Sequence, residues 1–314
     1  MVEAPSEPPI AASPDEDGDG GERAAATRLY VILARDAPTG VVFRRGPSKH
    51  VQLLSWDLRT DRVTSGQWLK GRIYERRCDL SPSGDLLVYL ATKYPNEFEA
   101  WTAVSRPPYL TALALWPKRN GTYGGGGLFE DETRLLLNHR EDERDLAAGF
   151  QLKRGMTVAP LDPVSGRGED EPILSHRRRR DGWSLVCEGS SLPYDPYSGG
   201  WTIEPPQVWR KRGRNGRLLE EHLHSVGRRG HPWYGTSFRV LDGEETPLFD
   251  LPATDWADWD RGDLLMARDG KLFRLRKSDF RRYPDDGESA LHLVADLNAS
   301  RFEPITAPAQ AKRW

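Results

Sequence analysis

Short apolar runs broken by polar turns dominate the chain from residue 28 onward. RLYVILAR (28–35) and VVFRR (41–45) flank Pro38-Thr39-Gly40, and VQLLSWDL (51–58) leads through Arg59-Thr60-Asp61 into RVTSGQWL (62–69). Runs of this length, rich in β-branched and aromatic residues and bounded by turn formers, predict strands. CDLSPSGDLLVYLA (78–91), GLFEDETRLLLNH (127–139) and DWDRGDLLMA (258–267) share a further pattern: a hydrophobe, a polar turn, then a nearly continuous apolar run. Such a run fits a strand covered on both faces. DGWSLVCEGS (181–190) is a weaker fourth copy. Asp269-Gly270, between LLMAR and KLFRLR, is a hairpin signal, because both turn residues must take positive φ. RLLEEHLHSV (217–226) is ambiguous: Leu218, Leu219, Leu223 and Val226 are spaced as on a helix, yet the run also reads as a strand.

Units recurring at roughly 45–55 residues point to a radial all-β fold. Five are counted: 28–70, 71–117, 118–163, 180–226 and 232–278. ALHLVADL (290–297) is left over, and pairing it with the N-terminal strand would close a ring and remove exposed sheet edges. The expected organisation is a tail over 1–26, a five-bladed β-propeller over 27–306 and a C-terminal tail over 307–314.

Composition changes this picture only at the N-terminus. Residues 1–26 hold seven acids and one base, leaving 44 basic and 40 acidic residues in 27–314, a net of +4. The tail has no aromatic residue and cannot bury enough surface to offset its ordering entropy, so it reads as disordered. Asp15, Asp17, Asp19 and Gly20 match the start of a calcium loop, but the closing position is Ala26 and no helical pattern flanks it. No apolar run reaches the length of a membrane span, and no signal peptide is evident. Cys78 and Cys187 fit no metal spacing and read as buried free thiols. A cytoplasmic protein, monomeric on its own and without cofactor or metal, is the expectation.

WDLRTDRVTSG (56–66) and DLSPSGDLLVYLA (79–91) resemble the strand-turn-strand pieces of TolB-like and WD40-like β-propellers, although Ser83 and Asp61 replace the family's Asp and Gly. The stretches RPPYLTALALWP (106–117) and GGGGLF (124–129) are similar to those of bacterial propeller-like proteins. The resemblance covers about two thirds of the chain. It implies a fold and no particular activity, because propellers host enzymes, scaffolds and receptors alike.

Several motifs could carry chemistry. In DWADWDRGD (255–263), Asp260 and Asp263 occupy turn positions filled elsewhere by Ser81 and Asp85 or by Glu130 and Arg134; a turn tolerates that exchange, a metal site does not. Asp255 and Asp258 read as turn and strand-start residues, with a local cation or substrate site as the alternative. Gly124 to Gly127 lack the helix, Lys and Ser/Thr of a phosphate-binding loop, and read as a crowded strand start near a propeller axis. His222, His224 and His231 lack the geometry of a metal set, and no G-x-S-x-G elbow occurs. Asp79, Asp131, Asp181 and Asp258 recur at similar places in successive units and are candidate channel carboxylates for a glycosidase-like hydrolase.

The clusters HRRRR (176–180), RKRGRNGR (210–217) and GRRGH (227–231) read as solvated loops, as a patch for an acidic protein or the chain's own tail, or as a phosphate-binding face. The proline- and aromatic-rich SSLPYDPYSGGWTIEPPQVW (190–209) suits a binding loop, since rigid aromatics are favoured at interfaces; packing between blades is the competing reading. The leading expectation is a non-catalytic protein-binding subunit using loops 176–231. Its candidate contacts are Arg177, Arg178, Arg179, Arg180, Tyr194, Tyr197, Trp201, Trp209, Arg210 and Arg212. The channel hydrolase is the alternative, and polyanion or nucleic-acid binding comes second.

Overall fold

A computed structural model describes residues 27–46, 49–94 and 98–314. The acidic tail and its aspartate set at 15–20 lie outside the described residues. The described chain is all-β, in five sheets that take their strands in sequence order.

Sheet 1 is a meander of β1 (Arg28–Leu33), β2 (Thr39–Arg45), β3 (His50–Asp57) and β4 (Arg62–Lys70). Sheet 2 holds β5 (Arg72–Ile73), β6 (Asp79–Leu80), β7 (Leu87–Thr92), β8 (Ala100–Ser105) and β9 (Ala114–Lys118). Sheet 3 holds β10 (Gly127–Phe129), β11 (Arg134–Leu137) and β12 (Thr157–Pro160), the last two parallel. The helix α1 (Ile173–Arg180) then leads into sheet 4: β13 (Trp183–Cys187), β14 (Trp201–Arg212), β15 (Leu218–Val226), β16 (Tyr234–Leu241) and β17 (Pro247–Leu251). Sheet 5 is β18 (Thr254–Asp260), β19 (Asp263–Arg268), β20 (Lys271–Leu275) and β21 (His292–Asp296), with the short helix α2 (Tyr283–Asp286) between the last two strands.

Local chemistry accounts for these elements. Every residue of β7 and of β8 is buried, as expected of apolar runs covered on both faces. Asp269 (φ 51°) and Gly270 (φ 70°) form the turn between β19 and β20, whose strands pair Arg268 with Lys271. The first three expected units match sheets 1 to 3 closely. The last two are corrected: β16 and β17 extend sheet 4, and sheet 5 begins only at Thr254. The ambiguous 217–226 run is a strand, because β15 pairs on both sides, with β14 and with β16.

Hydrophobic clusters join the sheets side by side. Phe43 and Leu53 meet Leu87 and Tyr89 between sheets 1 and 2. Val88 and Trp116 meet Phe129 and Leu137 between sheets 2 and 3. Trp209 and Leu219 meet Trp259 and Met266 between sheets 4 and 5. Leu29 and Trp56 meet Leu265 and Leu272 between sheets 5 and 1. Among the described residues no such cluster joins sheet 3 to sheet 4; α1 lies between them.

The expected pairing of the 290–297 strand with the N-terminal strand is also corrected. β21 completes sheet 5 against β20, and among the described residues β1 pairs only with β2. The chain after β21 instead runs as a strap across neighbouring sheets. Ser300 O accepts from Arg44 of sheet 1 at 3.2 Å, and Phe302 packs on His50 with ring centres 4.9 Å apart. Ile305 O accepts from Gln67, Arg313 O from Arg106, and Trp314 Nε1 donates to Gln151 O at 2.7 Å beyond β11. Ala307 and Ala311 are buried, so 307–314, expected as a tail, is a docked segment. Among the described residues no helix is long and apolar enough to cross a membrane.

Candidate functional site

Where sheets 1, 2 and 4 approach one another, α1 fills the space with charge. Ile173 and Leu174 are buried on its first turn, and the arginines that follow reach acids on neighbouring sheets. Arg180 forks onto Asp79 at 2.6 and 2.8 Å, and its Nε reaches Asp181 at 2.8 Å. Asp79 is fully buried and also accepts the Phe129 amide at 2.8 Å. Arg178 meets Glu221 at 2.5 Å. Arg76 approaches the same carboxylate at 3.8 Å and stacks 3.6 Å from the Tyr234 ring centre. Arg77 lies against Asp170, whose second oxygen accepts from the Tyr234 hydroxyl. Arg177 has no ion pair within 4 Å among the described residues; it donates to the Tyr30 hydroxyl and to the carbonyls of Glu75 and Cys78. Burial pushes the Glu221 carboxyl up, but Arg178 and Arg76 outweigh it and hold it below its usual range.

The reading of 176–180 as a loop is therefore corrected. Arg177, Arg178 and Arg180 point inward, and only Arg179 stands exposed. The physical reason is that a buried guanidinium is tolerated only when acceptors meet it, and each of the three reaches at least one. Trp209 is buried at the joint between sheets 4 and 5, and Arg210 is held by Glu220 and Glu245, both at 2.7 Å. Trp209 is thus interior, and Arg210 is half-buried.

Beside α1 lies a cavity of about 720 Å³, bounded by β1, β18, the start of β13 and the β14–β15 turn. β1 and β18 are each paired on one side only. Asp258 lines the cavity with Lys211 Nζ at 2.6 Å from its Oδ1. Burial pushes the Asp258 carboxyl up, and Lys211 partly offsets this. Asp255 has no cation within 4 Å among the described residues; burial pushes it up to about 6, against the weaker pull of Arg28 and the Leu29 amide. Trp183, Trp256 and Trp259 also line the cavity.

Of the four candidate channel carboxylates, Asp181 and Asp258 face this cavity. Asp79 is sealed beneath Arg180. Asp131 sits on the surface, where it accepts from the Thr133 and Arg134 amides and closes its own turn. The four are not brought together. Asp260 and Asp263, read as turn residues, do close the β18–β19 turn, and both also bind Arg274, at 2.8 and 3.2 Å.

Three of the four amides of the glycine run are already engaged within the protein. Gly124 N donates to Gly168 O, Gly125 N to Asn138 O and Gly126 N to the Thr102 hydroxyl. A Cβ on Gly126 would stand 2.4 Å from the Arg77 carbonyl, so the crowding expected at this strand start is real. His222 bonds Glu220 and His224 bonds Ser237. Among the described residues no three His, Cys, Asp or Glu side chains gather as a metal site. Cys78 is buried and burial raises its thiol pKa, whereas Cys187, expected to be buried, is partly exposed.

At the far end of β14 the chain forms an exposed aromatic loop. Tyr197 is 93% exposed, with Leu192, Tyr194 and Trp233 also open to solvent. The loop is internally fixed: Gly199 N donates to Asp195 O and Tyr197 N to the Asp195 carboxylate. Tyr194 packs edge-on against Trp201, with ring centres 5.0 Å apart.

No protein-family model and no curated protein sequence matches the chain. Among solved structures it is similar to the β-propeller domain of the Trilobed protease from Pyrococcus furiosus, at 8% identity and a TM-score of 0.28, covering 81% of this chain and 82% of that one. A chain of the mitotic checkpoint complex is similar at 8% identity and a TM-score of 0.17, covering 88% of this chain and 73% of that one. Scores this low do not establish a shared fold.

Sequence reasoning misses Glu221, Asp170, Arg76 and Lys211 as parts of the interior. Lys211 sits in a basic run and Glu221 in a run of ambiguous periodicity, so neither advertises its partner. Asp255 and Asp258 do carry a signal: they are the two aspartates that the turn pattern leaves unexplained.

Proposed function

We propose that the five sheets are blades of a β-propeller and that the chain serves as a protein-binding subunit. The partner surface is the 190–201 loop with the adjoining 227–233 turn, at the end of sheet 4 remote from the cavity. Tyr197 carries this reading: a large aromatic side chain left almost wholly in water on a rigid loop is the kind of group that interfaces recruit. Because the loop is already ordered, binding would cost little side-chain entropy. Arg229 and His231 are exposed next to it, so an acidic protein segment carrying apolar side chains is the matching partner. The glycosidase-like alternative is less favoured, since only two of its four carboxylates share the cavity. A nucleic-acid face is weaker too, with three of its arginines committed inside.

The test is co-purification from the native host at low salt. A stoichiometric partner lost in a Tyr194→Ala/Tyr197→Ala variant and retained in Arg214→Ala, at the opposite end of β14, supports the assignment. A partner indifferent to the tyrosines, or none at all, removes it.

A further inference from the structure

The cavity beside α1 carries more positive charge than its own acids neutralise. On its floor the charges are matched: Lys211 with Asp258, Arg178 with Glu221, Arg180 with Asp181. At the rim they are not. Arg35 follows β1, Arg214 sits in the β14–β15 turn and Arg261 in the β18–β19 turn, so three sheets each contribute an exposed guanidinium. Arg35 donates to the carbonyls of Phe129 and Glu130, which carry no net charge to offset it. Arg214 has no ion pair within 4 Å among the described residues. Arg261 comes only within 3.9 Å of Asp260, which Arg274 already holds at 2.8 Å. Arg177, deeper in, hydrogen-bonds to neutral oxygens and shares Glu221 only at longer range with Arg178 and Arg76. Against these stand Asp36 at the rim and Asp255 within.

The walls add a second requirement. Trp183, Trp256 and Trp259 are each 8% exposed and each lines the cavity, which gives a ligand ring apolar surface to rest on. Asp255 and Asp258 are acceptors that hydroxyl groups would satisfy. A volume of about 720 Å³ falls within the range of sites that enclose small organic ligands. Arginines from several elements converging on one mouth suit a phosphate group, which guanidinium donors match in pairs.

We infer that this cavity binds a hydroxyl-bearing phosphomonoester built on a ring, with the phosphate at the Arg35, Arg214 and Arg261 rim and the hydroxyls at Asp255 and Asp258. Such a ligand could be a sugar phosphate or a nucleoside monophosphate. Titration calorimetry on the full chain distinguishes them, with glucose 6-phosphate and AMP as probes and with glucose and inorganic phosphate as controls. The expected result is saturable binding of one probe, at least tenfold tighter than inorganic phosphate and lost more than tenfold in Arg214→Ala/Arg261→Ala. The stronger probe identifies the source. Both variant positions are exposed, and an unchanged melting temperature verifies that the fold is intact. Binding of phosphate as tight as that of the probes, no binding of either probe at millimolar concentration, or binding that survives the double variant would each overturn the inference.

Discussion

Thr102 Oγ1 stands 2.7 Å from His139 Nε2, and its neighbours fix the direction of that hydrogen bond. His139 Nδ1 faces the Glu143 carbonyl at 2.9 Å and must donate to it, so Nε2 accepts from the Thr102 hydroxyl. That hydroxyl in turn accepts the Gly126 amide at 2.8 Å. The chain of donors has one sense only, and it anchors the glycine run to sheet 2. A proton on Nε2 would reverse the middle bond. Burial and the nearby Lys118 accordingly lower the His139 pKa to about 4.

The first prediction concerns acid. Between pH 6.5 and about 4 the unfolded chain takes up a proton that the folded chain refuses, so His139 removes stability as pH falls through that window. A depression of this size corresponds to about 3 kcal/mol at most. Melting curves of the wild type and His139→Gln from pH 7 to pH 4 check it. The variant should be less stable at pH 7 and should lose less on acidification; parallel curves would refute the assignment.

Asp255 works in the opposite sense. Its folded pKa, about 6, lies above the unfolded carboxylate value, so its contribution is favourable below about pH 4 and is lost as pH rises through 6. Asp255→Asn should raise the melting temperature at pH 7.5, by an amount worth roughly 1–3 kcal/mol, and leave it nearly unchanged at pH 4. A variant destabilised equally at both values would mean that the carboxylate is not held at an energetic cost.

Asp79 and Arg180 test the interior ion pairs. Asp79→Asn leaves a buried guanidinium short of a carboxylate and should cost about 3 kcal/mol, near the lower end for breaking a buried pair, because Arg180 keeps Asp181. Asp131→Asn, in the exposed β10–β11 turn of sheet 3, should cost less than about 1 kcal/mol. Urea titration of both separates a structural carboxylate from a turn residue.

The strap after β21 should matter as much as a core strand. Ending the chain at Asn298 removes the acceptors of Gln67 and Arg106 and the Trp314 contact on sheet 3. At about 1 kcal/mol per hydrogen bond, with apolar burial added, the loss should reach roughly 3 kcal/mol. A truncated chain with an unchanged denaturation midpoint would show that the strap only rests on the surface.

These residues also explain how far the sequence can be read. Turn chemistry and apolar runs are local, so the Asp269-Gly270 hairpin and the first three sheets are legible in the residues themselves. The boundary after β15 is not, because equal spacing of units places it too early and sheet 4 runs on through β16 and β17. The arginine helix is illegible for a different reason. Arg180 and Asp79 are 101 positions apart, and Arg77 and Asp170 are 93 apart. Nothing local marks a run of four arginines as interior when its counter-charges lie on other sheets. The cavity is half visible, through Asp255 and Asp258, but its rim arginines are not: Arg35 ends a strand-like run, Arg261 sits in a turn and Arg214 in a basic run that reads as solvated.

Four joints between sheets are hydrocarbon, whereas α1 meets sheets 1, 2 and 4 largely through its guanidinium groups, and the two kinds of contact mature differently during folding. Apolar surfaces attract at any register and can pack before their details are right. The guanidinium groups of Arg177, Arg178 and Arg180 have no favourable half-formed state, because partial burial strips their water before their acceptors arrive. The helix therefore acts as an inspector of the winding: it can settle only after sheets 1, 2 and 4 have already found their places. In hydrogen exchange, α1 should accordingly gain protection last during refolding and lose it first under mild denaturant, while β7 and β8 behave in the reverse order.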